Sequence, residues 1–483
     1  MCMPMSDEQG LRNRAAGKVR RRIGALVALV VGCTPDAPPA ELAIENVTVI
    51  DAANGVRENQ TVVVRGDTII SVADAGALTN AVEVVDGTGR YLIPGLWDMH
   101  VHLTYDDVLT PAMPGLFLSW GVTSIRDTGG LLDEVGPVVE AMRAEGAIAP
   151  RVFFAGPLLD GERVVYDGQG RPEIGIPNPE VEQARANVAT LADAGVDFIK
   201  IYEMVTPEVF DALATAAEQR GLPIAAHVPL SMRARDVAPR VNSMEHLRNI
   251  EMDCAAGADQ LLATRRALLV EDPEEPGATL RARLHSLQRL PAVAAYDAAL
   301  CDGALTAMAS TLQVPTLRLN AFSLRPSFAR DDWFPAIEAA PGEIATRWRS
   351  AGEAWRAGPP AADTVFAAWS LRLVGEMHRR GIPIGAGTDT PINYAMPGFA
   401  LHEELEMLVR AGLAPIEALR AATIRPAEFF GLEAEMGRIE PGMRADLVLL
   451  GADPLVEISN TRRIDAVIAR GRLLGRSEVA AGR

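Results

Sequence analysis

Two histidines that lie two residues apart, His100 and His102 in the segment DMHVH, are the first candidates for chemistry in this sequence of 483 residues. Alternate side chains of a β-strand face the same side, so both rings are predicted to project together. Paired imidazoles on one face are a common beginning of a site for a divalent ion such as zinc. A buried structural pair has the same spacing, so this motif alone leaves both interpretations open.

Four further reactive residues end short apolar segments that are predicted to be strands. Lys200 ends DFIK and Asp389 ends IGAGTD, while His227 and His246 follow the apolar runs of IAAHVP and SMEHL. Ordinary core residues would not be expected to stand repeatedly at strand ends. Because the carboxyl ends of the strands in a parallel barrel meet at one face, the pattern predicts a single metal site.

Lys200 also stands out in composition. The chain contains 46 lysines plus arginines, and only Lys18 and Lys200 are lysines. An arginine-rich genome can leave a lysine anywhere by chance. The alternative is that this position needs an amine that can lose its proton, which a guanidinium cannot do.

The strand and helix pattern predicts an α/β protein with two parts. Segments rich in Val, Ile and Thr, broken by glycine turns, occupy residues 41–92 and 431–483 and predict one small β-sandwich built from both termini. Between them, residues 93–430 alternate short apolar runs with helical stretches, as in a (β/α)8 TIM barrel. Helical insertions at about 251–310 and 321–375 are predicted to form a lid or cap.

The N-terminus has the order of an export signal. A basic stretch precedes the apolar run IGALVALVVG, which is too short to span a bilayer and ends at Cys33. We predict a signal peptide over 1–33 with a lipobox-like end, lipidation of Cys33, and a flexible tether over 34–40. The expected location is exported, periplasmic or membrane-anchored in a bacterium. A plain cleaved signal, or an apolar stretch without a role in export, is the alternative.

The net charge of −17 argues against a nucleic-acid partner and against an anionic membrane face, since both would need a basic surface. The cysteines include no CxxC pair, which excludes a cysteine zinc site on spacing. Cys254 and Cys301 could pair in an oxidising periplasm, and the sequence leaves that pairing open.

The segments IPGLWDMHVH, GVDFIK, AHVP, MEHL and AGTD together resemble the amidohydrolase superfamily, most closely its imidazolonepropionase-like and Xaa-Pro-dipeptidase-like enzymes. The resemblance covers about residues 41–475. It implies two divalent metal ions, with zinc expected, and a lysine carbamylated by carbon dioxide. One ion would be held by His100, His102 and Asp389 and the other by His227 and His246, while the Lys200 carbamate would bridge them.

This ligand set implies hydrolysis. A water shared by two metal ions becomes a hydroxide nucleophile near neutral pH. Asp389 is predicted to accept the proton of that water and to pass it to the leaving amine. Tyr202, two residues after Lys200, is predicted to face the same side and to bind the substrate carbonyl or a carboxylate. The alternative for Tyr202 is a wall residue.

Two weaker candidates for substrate binding are Arg126 and His402. Arg126, in SIRDTGG, could bind a carboxylate or phosphoryl oxygen through its fork of donors, but a scaffold ion pair with Asp98 or Asp127 is favoured. His402 is predicted either to reach the pocket from the loop after strand 8 or to begin a helix.

Two histidines are given no functional role. His378 is predicted to lie on the surface of a helix. His285 has no partner pattern in the sequence and is interpreted as incidental.

The predicted function is hydrolysis of an amide bond, in a dipeptide or an N-acyl amino acid, by a metal-bridging hydroxide. The same site could attack a lactone, a carboxylic ester or a phosphotriester. A cyclic imidazolone amide is disfavoured, because relatives with that activity generally use a single metal. A lipoprotein that binds a small molecule without turnover is the alternative from a different class.

Overall fold

The computed structural model describes residues 40–77, 80–358 and 364–475, which belong to one compact unit. The predicted signal peptide, Cys33 and residues 34–39 of the predicted tether lie outside the described residues. The strands are, in chain order, β1 (Ala40–Asp51), β2 (Gly55–Arg65), β3 (Thr68–Asp74), β4 (Ala81–Asp86), β5 (Tyr91–Pro94), β6 (Leu96–Val101), β7 (Val122–Asp127), β8 (Arg151–Phe154), β9 (Leu158–Asp160), β10 (Gly175–Pro177), β11 (Ile199–Ile201), β12 (Ile224–Ala226), β13 (Ser243–Glu245), β14 (Leu312–Val314), β15 (Leu447–Leu450), β16 (Ile464–Ala469) and β17 (Arg472–Leu474).

The helices alternate with the middle strands. In chain order they are α1 (Met113–Ser119), α2 (Leu132–Arg143), α3 (Val181–Asp193), α4 (Pro207–Glu218), α5 (Ala234–Val237), α6 (Ile250–Asp253), α7 (Ala258–Glu271), α8 (Gly277–Ala294), α9 (Ala298–Ala307), α10 (Leu317–Asn320), α11 (Trp333–Ile337), α12 (Gly342–Ala357), α13 (Val365–Arg379), α14 (Phe399–Ala411), α15 (Pro415–Ala421) and α16 (Ile424–Phe429). Short 3-10 turns cover Thr110–Ala112, Ala238–Arg240, Ser327–Ala329 and Ile458–Arg462.

Both ends of the chain contribute to one sheet, as predicted. Its strand order is β17-β16-β15-β5-β1-β2-β3, and β4 pairs with β1 beside β5. The backbone of Ile69 on β3 bonds to that of Met443, just before β15, so the sheet curls back on itself. Leu42, Leu447 and Ile468 are among the buried residues inside the curl. The strands from the two terminal parts therefore form a single eight-stranded sheet around its own apolar core.

The middle of the chain is a mixed α/β structure with parallel sheets. Strands β6, β7 and β8 pair in parallel, and a second parallel sheet has the order β10-β9-β11-β12-β13-β14. The predicted strands around His100, Lys200, His227 and His246 correspond to β6, β11, β12 and β13. Strands β9 and β10 were not predicted from the sequence.

The segment IPIGAGTD forms isolated bridges, at Ile384 and at Thr390 directly after it, instead of the predicted continuous strand. Ile384 bridges Gln313 in β14, and Thr390 bridges Val101 in β6. Between them, Met99 N donates to Ala386 O (2.9 Å). The segment 384–390 therefore lies between β14 and β6 and joins the two parallel sheets.

The helix start predicted from the Thr-Pro-Glu sequence agrees with the structure. Thr206 caps α4, its side chain accepting from Val209 N at 3.3 Å, with proline at the next position. The two segments predicted as insertions carry α6–α9 and α11–α13; their limits at 251–310 and 321–375, like the other domain limits, stay predictions. None of the helices in the described residues is both long enough and apolar enough to cross a bilayer.

A disulfide joins Cys254, which ends α6, to Cys301 in α9. The pairing that the sequence left open is therefore present, across 47 residues of the first helical segment. Cross-linking of this kind restricts the unfolded chain and ties α6 to α9.

Gly387 provides a test of how tightly the 384–390 segment packs. A Cβ at Gly387 would lie 2.6 Å from Val314 Cγ1 and 2.9 Å from His100 Cβ, whereas at Gly385 the nearest atoms are at 3.4 Å or more. We expect Gly387→Ala to lower the free energy of unfolding by about 1–3 kcal/mol through overpacking. Gly385→Ala is the matched control and should change it much less. Equal effects in denaturant unfolding would contradict this close packing.

Candidate metal centre

The reactive residues predicted from the sequence converge on one buried point. His100 and His102 lie on β6 and just after it, and their Nε2 atoms are 3.4 and 3.3 Å from Asp389 Oδ1. The Nε2 atom of His246, directly after β13, is 3.8 Å from the same oxygen. Ligand atoms of His100, His246 and Asp389 all lie within 4.8 Å of one another, the spacing that a shared cation needs. The predicted convergence of strand ends is present.

Each of these imidazoles is held from behind through its Nδ1 atom. The hydrogen bonds are His100 Nδ1 to Glu245 Oε2 (2.7 Å), His102 Nδ1 to Gly129 O (3.2 Å), His227 Nδ1 to Glu203 Oε1 (2.7 Å) and His246 Nδ1 to Thr316 Oγ1 (2.8 Å). A carboxylate or carbonyl only accepts, so in the first three Nδ1 carries the proton and Nε2 keeps a lone pair. Anchors of this kind orient metal-binding histidines.

Burial keeps three of these histidines, His100, His227 and His246, in the neutral form that binds metals. Burial, together with the nearby Lys200 ammonium, lowers the pKa of His100 to about 3. The pKa values of His227 and His246 are also held well below the ordinary range, again chiefly by burial. Neutral imidazole is the ligand form, so the ring nitrogens are available at neutral pH.

Asp389 supplies the negative charge of the cluster. Its backbone has a φ of +62°, in the left-handed region, and its N–H donates to His100 O at 2.8 Å. Non-glycine residues in that region are concentrated at functional sites.

Lys200 lies at the centre of β11 and is fully buried, with 0% exposure. Its Nζ has no hydrogen-bond partner within the described ranges. Burial lowers the pKa of Lys200 to about 7, against the opposing effects of Glu245 and Asp389. An unpaired buried amine is costly, so this position fits a lysine that gains a charge partner or a modification.

A cavity of about 200 Å³ opens from this cluster. Tyr202 lines it, as predicted, with its ring centroid 4.4 Å from that of His227. The full lining is His100, His102, Leu158, Tyr166, Arg171, Lys200, Tyr202, His227, His246, Arg248, Arg281, Leu319, Asp389 and Ile392. Tyr166 and the three arginines were missed. Arginine is too common in this chain for any one to stand out in the sequence.

The prediction that Arg126 binds substrate is wrong, and the scaffold alternative is right with a different partner. Arg126 is fully buried and does not line the cavity. Its guanidinium donates to Met99 O (2.6 Å), Ser243 Oγ (2.9 Å) and Glu245 Oε1 (2.7 Å). The partner is therefore Glu245, the carboxylate that anchors His100, and Arg126 acts on the site through it.

The prediction that His402 reaches the pocket is also wrong. His402 lies in the first turns of α14, as the alternative held, and is fully buried there. Its Nδ1 bonds to Thr461 Oγ1 (2.8 Å) and its Nε2 donates to Trp120 O (3.0 Å). Both ring nitrogens are thus engaged away from the cavity, and the residue has a structural role.

The interpretation of His285 as incidental is wrong. Its Nε2 is 2.7 Å from Glu203 Oε2, and Glu203 is the carboxylate that anchors His227. His378 is in helix α13 as predicted, and it is partly buried. The sequence contained one overlooked signal, since Arg281 and His285 are four residues apart on one helix face.

Comparisons with known proteins match part of the chain to one family. A model described as the amidohydrolase family matches residues 368–474. An adenine deaminase of Edwardsiella ictaluri is 38% identical over 88 residues, which is 18% of this chain and 15% of that protein. The match thus spans about a seventh of that relative, so its activity does not carry over by likeness.

Solved structures match over nearly the whole chain. A putative prolidase from Bifidobacterium longum is 25% identical, with 92% of this chain and 98% of that chain covered and a TM-score of 0.61. A Xaa-Pro dipeptidase with methionine bound in its active site is 19% identical and covers 90% and 99%, with a TM-score of 0.63, which shows likeness of fold.

Residues 368–474 thus match the amidohydrolase family, and the chain shares its fold with the two solved structures. The family match agrees with the enzyme class predicted from the sequence, a metal-dependent hydrolase that acts on carbon–nitrogen bonds.

Glu245→Gln tests whether the anchors behind the histidines stabilise the site. The change leaves the Arg126 charge buried without its counter-charge, which typically costs about 3–5 kcal/mol. We expect a loss of that size in the free energy of unfolding, measured with denaturant. Glu182→Gln is the control, because the Glu182–Arg185 pair is exposed and should contribute little. A loss no larger than that of the control would contradict the pairing.

Proposed function

We propose that this protein hydrolyses the amide bond of a dipeptide or an N-acyl amino acid. The observation that carries the proposal is the buried amine of Lys200, unpaired within the described residues, among neutral histidines and the ionised Asp389. A ligand-binding protein without turnover would have no need for an amine at that point. The catalytic assignment accounts for it.

We also propose that the parallel strands form the predicted (β/α)8 barrel, over about residues 93–430. Its staves would be β6, β7, β8, β11, β12, β13, β14 and the segment 384–390. The bridges of Ile384 and Thr390 support this, because they join the last segment to its neighbours on both sides. Asp197 N also donates to Phe154 O (2.9 Å), which links the start of β11 to β8.

The residues present fit two divalent ions, with zinc as the proposed metal. His100, His102 and Asp389 would hold the first, and His227 and His246 the second. Such ions would supply a Lewis acid and lower the pKa of water. The four histidines suit zinc through their neutral, oriented nitrogens.

Lys200 would bridge the two positions as a carbamate. The neutral amine attacks carbon dioxide, a nitrogen–carbon bond forms, one carbon–oxygen double bond becomes a carboxylate single bond, and the nitrogen loses a proton. A pKa near 7 supports this step, because much of the amine is then neutral at physiological pH. Arginine could not take this role.

Proton transfer would fall to Asp389 and carbonyl orientation to Tyr202. Asp389 Oδ1 lies at the centre of the histidine cluster, where it can accept a proton from the attacking water and return it to the leaving nitrogen. The Tyr202 hydroxyl is a donor on the cavity wall.

Arg248 and Arg171 would bind the free carboxylate of the substrate. Arg281 is already neutralised by Glu203 at 2.7 Å, whereas Arg248 lies 3.9 Å from the same carboxylate and its Nε has no hydrogen-bond partner among the described residues. Arg171 stacks over Tyr166 at 5.4 Å. A neutral lactone or phosphotriester would leave these charges unmatched, which favours an amino-acid product.

We propose an exported location for this enzyme, with lipidation of Cys33 as its anchor. The Cys254–Cys301 disulfide supports an oxidising compartment.

The function is tested with residues 34–483 loaded with zinc in bicarbonate buffer. We expect amine release from at least one member of a panel of dipeptides and N-acyl amino acids, and at least a 100-fold loss in Lys200→Arg, since a fixed cation repels the metals. Metal content should fall in the same variant. Amine release that survives in Lys200→Arg, or a metal-loaded enzyme inactive on the panel, would contradict the proposal.

Arg248→Met tests carboxylate recognition. Losing a charge-assisted hydrogen bond of about 1.5–3 kcal/mol should raise KM about 10- to 100-fold for a substrate with a free carboxylate. The same substrate with a C-terminal carboxamide is the control and should respond much less. Equal changes in KM for the two substrates would exclude this role.

A further inference from the structure

Glu203, one residue after Tyr202, is a fully buried carboxylate that receives donors from several segments. Its Oε1 accepts from His227 Nδ1 (2.7 Å) and from Arg281 Nε (2.9 Å) and Nη2 (2.7 Å). Its Oε2 accepts from His285 Nε2 (2.7 Å). Glu203 therefore connects a residue of the candidate site to two residues of one helix.

That helix is α8, in the segment between β13 and β14. Arg281 and His285 are four residues apart, so both face the same side of α8. On α8, Leu280 and Leu284 are fully buried against Leu230. Apolar packing therefore fixes the helix, and its polar arms reach Glu203 from a fixed position.

The hydrogen bonds of this network have a defined direction. Arg289 Nη2 donates to His285 Nδ1 (2.9 Å), and because a guanidinium only donates, that nitrogen must be the acceptor. The proton of His285 is then on Nε2, which donates to Glu203. Since Glu203 only accepts, His227 must donate through Nδ1, and its Nε2 lone pair is left for the cavity.

The other three histidines are anchored differently. Their acceptors or partners are Glu245 at the end of β13, the Gly129 carbonyl and Thr316 before α10. None of these three anchors belongs to α7, α8 or α9. Within the described residues, the anchor of His227 is the one that α8 holds in place.

We propose that α8 is a positioning element of the active site, in which Arg281 and His285 hold Glu203 so that it orients His227 for the second metal ion. This inference rests on the proposed role of His227 as a ligand. Arg281 also lies 5.7 Å over the Tyr202 ring and lines the cavity, so the same arm contacts the substrate wall. Helix α8 thus supports the second metal position and also lines the pocket through Arg281.

The test is a Co²⁺ titration of the metal-free protein in bicarbonate, followed by visible absorption and by metal analysis. We expect Glu203→Gln and the double variant Arg281→Met/His285→Phe to weaken the second binding step about 10- to 100-fold, the usual size for loss of such a support. The first step should change less than about threefold. His285→Gln, which keeps a donor for Glu203, should recover part of the loss caused by His285→Phe.

Arg283→Met is the matched control on the same helix. Arg283 is two residues from Arg281 and pairs with Glu275 away from the cavity. The Arg283→Met variant should bind two ions as the wild type does. Thermal unfolding of each variant shows whether it is folded.

The outcomes distinguish a failure of the positioning role of α8 from a failure of the two-metal centre. Equal weakening of both steps, or an unchanged second step in folded Glu203→Gln, would overturn the positioning role of α8. If Glu203→Gln does not fold, the His285→Phe and His285→Gln pair decides in the same way. A wild type that binds fewer than two ions would instead contradict the proposed two-metal centre.

Discussion

The rest of the site depends on the hydrogen bonds that hold the buried imidazoles from behind. Four rings must stay neutral and direct one nitrogen each toward the same small volume, although their residues come from different strand ends. Burial disfavours the charged form of His100, His227 and His246, and the outer hydrogen-bond partners fix which nitrogen faces inward. Strand register is therefore part of the chemistry, because a shift of one residue in β6 would turn both of its histidines away from the cavity.

The charged and polar groups form two layers around that volume. The inner layer is the cavity residues such as His100, Lys200 and Asp389, and the outer layer is the carboxylates and guanidinium groups behind them. Glu245 and Glu203 stand directly behind His100 and His227, and each carboxylate is bound in turn by a guanidinium, Arg126 or Arg281. Burial alone would raise the pKa of both carboxyls, but these cations hold it well below the usual range. Since a buried charge without its partner is expensive, each carboxylate–guanidinium pair is stable only as a unit. This arrangement lets the imidazoles of His100 and His227, in front of the two pairs, stay neutral.

The sequence predicted the inner layer and not the outer one. Residues such as His100, Lys200 and Asp389 end apolar runs, and the rule that parallel strand ends share one face is enough to bring them together. The partnership of Arg126 with Glu245 spans 119 residues, and that of Glu203 with Arg281 depends on how a helical segment packs. No local period encodes such contacts. The local pattern of the segment 384–390 also looks like that of an ordinary strand, because its isolated bridges depend on contacts with distant strands.

The presence of lysine at position 200 is explained by how the outer carboxylates are already paired. The two carboxylates nearest to it in the outer layer, Glu245 and Glu203, are already engaged by guanidinium groups. A permanently charged arginine at this position would leave Asp389 as its remaining counter-charge and would occupy the space where the histidine nitrogens converge. A lysine can instead give up its proton when buried. Of lysine and arginine, lysine is thus the one that this environment can hold without a dedicated carboxylate, and its neutral amine is also the one that could take up carbon dioxide.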